Sequence, residues 1–160
     1  MSAAQDLISS LEKLLKLHKS LYEIAVKKTE CIKVGDMNAL DKVINEEQSH
    51  IIAIQQLEHN RHKAVVQLLP NRHNPSVRDC VAATIGQEKE KLSNLANELN
   101  DVLLELKERN YLNQQLVHQS LQFVNVSLSL LKPQPESMNY GPPKGKSRTN
   151  VKDTLFNSKA

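Results

Sequence analysis

The stretch "ECIKVGDMNAL", residues 30–40, decides how the first half of this chain folds. On its N-terminal side, residues 3–34 repeat apolar positions at spacings of three and four. Leu7, Leu11, Leu14, Leu21, Ala25 and Ile32 form one stripe, and Ile8, Leu15 and Tyr22 run beside it. Such spacing puts one face of an α-helix against a core. The stripe stops at Gly35, the residue that most easily takes the left-handed conformation ending a helix. Asp36 follows and can accept hydrogen bonds from the first free N–H groups of a second helix. That helix continues to residue 68 through Met37, Leu40, Val43, Ile44, Ile51, Ile54, Leu57, Val65 and Leu68. So short a link between two long helices predicts an antiparallel hairpin.

Downstream, "PNRHNPS" (70–76) interrupts the pattern, since Pro70 and Pro75 resist helix interiors. Asn74 is the expected N-cap, with Pro75 at the first helical position. From Ser76 to Leu131 there is no proline, and a single third helix is expected over 76–131. Its first part carries a coiled-coil-like seam of Leu92, Leu95, Leu99, Val102 and Leu106. Gly86 is its weak point, costing about 1 kcal/mol relative to alanine and favouring a bend. The segment 133–160, with Pro133, Pro135, Pro142 and Pro143, reads as a flexible tail.

Composition agrees with an all-α architecture: an antiparallel hairpin extended to a three-helix, coiled-coil-like bundle over residues 1–132. Aromatic residues are 3% of the 160, tryptophan is absent and glycine numbers 4. The net charge of +3 is unevenly spread. Residues 1–131 hold 15 Lys and Arg against 16 Asp and Glu, whereas 132–160 hold 6 against 2. Six cations scattered along a tail do not make the deep basic face that nucleic acid requires. Cys31 and Cys80 lie far apart in apolar-periodic segments and read as buried thiols of a reducing compartment. No cationic-then-apolar leader and no membrane-length apolar run is present, so a cytoplasmic location is expected.

One segment departs from the rest. In "RNYLNQQLVHQSLQFVNVSLSLL" (109–131) there is no charged residue after Arg109, although 24% of the chain is charged. Leu112, Leu116, Phe123, Val126 and Leu130 make one helical stripe, with Gln119 in its gap. Val117, Leu121, Val124, Leu128 and Leu131 make a second, spaced 4, 3, 4, 3. Residues 76–131 span 56 positions and 36–68 span 33, so an antiparallel third helix exceeds the second by 23 residues, 109–131. That overhang is expected to be either a core helix or a surface that receives another protein's amphipathic helix. Bare, it would be sticky, so a ligand, self-association or folding back on the hairpin must cover it.

Catalytic motifs are not evident: there is no glycine-rich phosphate loop and no nucleophile elbow. Glu58, His59 and His62 in "LEHNRH" could face one another on a helix, but Arg61 stands where the Glu-x-x-His pair of a bundle metal site would need its histidine. No enzyme, metal or cofactor is expected. A coiled-coil adaptor or homo-oligomer is the competing class of function.

The 109–131 run, followed by "YGPPKG" and the terminal "LFNSKA", resembles the FlgN family of flagellar type III export chaperones, and "IKVGDMNALDKVINEEQSHIIAIQQLEHNR" is similar to that family's first helix-turn-helix. The resemblance implies a cytoplasmic chaperone of the hook–filament junction proteins FlgK and FlgL. Such a chaperone shields their C-terminal helical segments and presents them to the export gate protein FlhA. It implies cargo binding by Leu112, Leu116, Val117, Leu121, Phe123, Val124, Val126, Leu128 and Leu131, and docking at the gate through Tyr140, with Tyr111 as the rival tyrosine.

Overall fold

In a computed structural model, which describes residues 2–131, the chain forms four helices: α1 (Ala3–Val34), α2 (Met37–Leu68), α3 (Val77–Ala83) and α4 (Gly86–Leu131). It divides into two compact units, Met1–Ser120 and Leu121–Ala160.

Within the first unit α1, α2 and α3 each begin at a side-chain cap. Ser2 Oγ accepts from the Gln5 N–H at 3.2 Å while the Gln5 side chain accepts from the Ser2 N–H at 3.3 Å, the reciprocal arrangement that satisfies two otherwise free donors. Gly35 ends α1 with φ of 77°, donating to the Cys31 carbonyl at 2.9 Å. Asp36 opens α2 by accepting from the Ala39 N–H at 3.0 Å. The expected hairpin follows, and its side chains confirm the direction. Lys28 pairs with Glu47 at 3.1 Å and Ser20 with His50 at 2.8 Å, so advancing along α1 means retreating along α2.

The expected start of the third helix is displaced. Asn74 does not cap a helix; it takes a left-handed φ of 51°. Ser76 is the cap, accepting from the Asp79 N–H at 3.2 Å while the Asp79 carboxylate accepts from the Ser76 N–H at 2.9 Å. A two-way box satisfies more donors than a single asparagine could, and the helix therefore begins at Val77. The Ser76 N–H, then the Ser76 hydroxyl, hold the Asp79 carboxyl below the usual carboxylate range, with a smaller contribution from the Arg72 guanidinium 3.1 Å away.

The single helix expected over 76–131 is also two. Thr84 is extended (ψ 161°), and its hydroxyl donates back to the Cys80 carbonyl at 3.0 Å. Gly86 then takes a φ of 65°, and α4 starts there. The break thus falls just before the glycine that sequence marks as weak. From Gly86 the helix continues without interruption to Leu131.

After this corner α4 runs parallel to α1. Glu12 pairs with Lys91 at 2.7 Å, Lys19 with Glu98 at 3.6 Å, and the Arg109 guanidinium sits 5.9 Å from the Tyr22 ring centroid. The core forms where α1's N-terminal half meets the C-terminal half of α2, α3 and the start of α4. Leu7, Leu11, Leu14, Val65, Cys80 and Leu92 are at most 1% exposed there. Leu99 and Val102 pack against that core, so the predicted seam is in place. Of the two cysteines, both free, only Cys80 is fully buried, and loss of water pushes its thiol pKa up; Cys31 is half-buried.

Two outcomes check this packing. Leu14→Ala should lower unfolding free energy by about 2–5 kcal/mol in urea titration, because it empties a filled site. Asp79 has a folded pKa below its ordinary 3.8, so its contribution is present above that value and is lost as pH falls through the depressed one. Asp79→Asn should therefore be less stable than the parent at neutral pH and converge with it in acid, as thermal melts across pH would show.

Candidate functional site

Counting every seventh residue along α4 explains where its packing on α1 changes character. Leu92, Leu99 and Leu106 occupy one heptad position; Asn113, Ser120 and Ser127 follow in the same position. Leu92 and Leu106 are buried and Leu99 lies against the core. Asn113 is buried as well, at 4% exposure, and both ends of its amide are hydrogen-bonded. Nδ2 donates to the Ala25 carbonyl at 3.0 Å, and Oδ1 accepts from the Thr29 hydroxyl at 2.6 Å. Thr29 also lies 3.0 Å from the same Ala25 carbonyl. A single buried asparagine in a helical seam sets register, because any slip leaves its amide without partners. Sequence reasoning did not single out Asn113. Its heptad phase with Leu106 was the available signal.

Next to this clamp, α4 turns other side chains outward. In the first unit Leu112 (37% exposed), Val117 and Tyr111 are exposed and Leu116 is half-buried. The Tyr111 hydroxyl accepts from the Gln115 amide at 2.8 Å. A groove of about 420 Å³ runs along the same helix, lined by Leu103, Leu106, Lys107, Asn110, Tyr111 and Gln114.

In the second unit, only 121–131 is described, and it is helical throughout. Leu121, Phe123 (74% exposed), Val124, Val126, Leu128 and Leu131 (79%) are all exposed, as is Leu130, which the predicted site omitted. Large apolar side chains standing this far out together are the unusual feature of a soluble surface. No charge lies among them. Tyr140 lies outside the described residues.

Other chemistry is thinly represented. Ser20 Oγ is 2.8 Å from His50 Nε2, and His50 Nδ1 donates to the Glu46 carbonyl at 2.9 Å, a pairing that sequence reasoning did not anticipate. It has the form of a hydroxyl and its base. Both residues sit in mid-helix, where backbone N–H groups are committed to the helix ladder, and so no N–H pair is free to stabilise an oxyanion beside the hydroxyl. The contact ties α1 to α2. Glu58 binds Arg61 at 2.9 Å, and among the described residues no three His, Cys, Asp or Glu side chains cluster as metal ligands. No described helix is long and apolar enough to cross a membrane.

Fold and site together define an all-α protein whose last helix carries an uncharged, exposed apolar end. The family model described as FlgN protein matches residues 1–148. The uncharacterized protein YvyG of Bacillus subtilis (strain 168) is 36% identical over 159 residues, covering 99% of each chain. No solved structure matches. The chain belongs to the FlgN family, a family of flagellar export chaperones, not of enzymes.

The clamp predicts a specific mutational pattern. Asn113→Ala should cost about 1–3 kcal/mol, since two buried hydrogen bonds disappear. The double change Thr29→Val with Asn113→Leu should recover most of that loss, because both polar partners are then replaced together. Urea unfolding of the single and double variants measures both.

Proposed function

We propose that this protein is a cytoplasmic chaperone that binds the C-terminal helical segments of the hook–filament junction proteins FlgK and FlgL. In this reading it keeps them from assembling early and delivers them to the export gate protein FlhA. The observation that carries it is the exposed, charge-free apolar end of α4. Family membership supports a flagellar export role; the cargo and the gate are this proposal's own step.

The physics suits a carrier that must also let go. Each large apolar side chain adds about 1.5–3 kcal/mol when fully buried. Half a dozen therefore outweigh the cost of ordering and immobilising a partner and still leave a micromolar complex, about −8 kcal/mol. No buried ion pair forms, so release strands no charge in an apolar interface. Leu112, Leu116 and Val117 on the first unit, and Leu121, Phe123, Val124, Val126, Leu128 and Leu131 on the second, are the proposed cargo contacts. Tyr140 is the proposed gate contact.

Phe123→Asp should weaken binding of FlgK and FlgL by at least about tenfold in calorimetry while far-UV circular dichroism stays unchanged, the loss expected from one buried aromatic. Normal affinity in that variant would remove the face from consideration. Tyr140→Ala should keep cargo affinity and lose capture by the cytoplasmic domain of FlhA. If it loses neither, the tyrosine has no gate role.

A further inference from the structure

The apolar side chains of 121–131 do not form one face. At 3.6 residues per turn, Leu121, Val124, Leu128 and Leu131 fall on one seam, and Phe123, Val126 and Leu130 on another about 150° around the helix. Asn125, Ser129 and Gln122 separate the seams on one side and Ser127 on the other. Both seams are exposed: Leu128 is 53% and Val126 59% accessible. A helix docking on another covers a stripe about 100° wide, so a single partner helix satisfies one seam and leaves the second bare.

We propose that this end of α4 is the central member of a three-helix arrangement, receiving two amphipathic helices of one cargo chain, one on each seam. The inference rests on the cargo-binding reading given above and names the form the cargo takes. Within 121–131 the two seams span 11 and 8 residues, about 16 Å and about 12 Å, and offer four and three large side chains. So short a contact cannot by itself offset the loss of free motion of a separate molecule. Two helices on one chain overcome this, since docking of the first raises the effective concentration of the second to the millimolar range. A second copy of the protein fits less well. Pairing like seams across a two-fold axis leaves the other seam bare in both copies. The cargo's facing residues must be uncharged, because nothing in 121–131 could pair with a buried charge.

Methyl-labelled leucine and valine resonances of the full chain, titrated with full-length FlgK, test this directly. The expected result is that methyls of Leu121, Val124, Leu128 and Leu131 and those of Val126 and Leu130 shift together, on one isotherm that saturates at one equivalent. Val126→Asp and Leu128→Asp, one per seam, should each weaken binding about tenfold or more with helix content unchanged. If only one seam's methyls move at saturation, or the seams fill separately at one and two equivalents, the two-helix inference is overturned and the cargo role stands. A free chain that light scattering shows to be a dimer with one seam already protected also overturns it. If no methyl of 121–131 responds to FlgK, both the inference and the proposed cargo face fail.

Discussion

The contact among Asn113, Thr29 and the Ala25 carbonyl is the constraint on which the first unit's arrangement turns. Leucine seams are forgiving: sliding one helix by a heptad along another exchanges one leucine for the next at little cost. A buried amide is not forgiving, because its donor and acceptor each need a partner and water cannot supply one. Asn113 therefore picks a single register for α4 on α1. That choice also settles which α4 side chains turn inward and which, such as Leu112 and Val117, turn out.

Surface charge plays the smaller part. Glu12 with Lys91 and Lys19 with Glu98 trace the parallel course of α4, but all four side chains are about half exposed. Exposed pairs contribute about 0–1 kcal/mol and weaken with salt. The stabilising weight lies in the core around Leu7, Leu11, Leu14, Val65 and Leu92, where full burial of each side chain is worth several times more. Direction along the bundle is thus set by packing and by the amide, with the ion pairs following.

The same heptad count links fold to function. As the position that began with Leu92 becomes Asn113, Ser120 and Ser127, the helix loses the means to bury that face in an apolar core. Its remaining large side chains, Leu121 to Leu131, are left exposed and without charge. A chaperone gains from such a surface because apolar contact is tolerant of partner detail, whereas charged pairs would fix a register and penalise dissociation. The chain's membership of the FlgN family makes a binding surface, not a reaction centre, the feature to account for.

Most of the secondary structure was legible from sequence because it depends on neighbours within a turn. The three-and-four spacing of leucines and the Gly35–Asp36 junction act over a few residues, and each has its expected local consequence. Capping near 74–76 was misjudged, since Asn74 and Ser76 are both competent caps and only the reciprocal bond with Asp79 separates them. The break at Thr84–Ile85, the Ser20–His50 contact and the burial of Asn113 were decided in three dimensions. Each depends on how one helix is rotated and shifted against another, and several apolar stripes of similar strength leave that choice open until the side chains of all the helices meet.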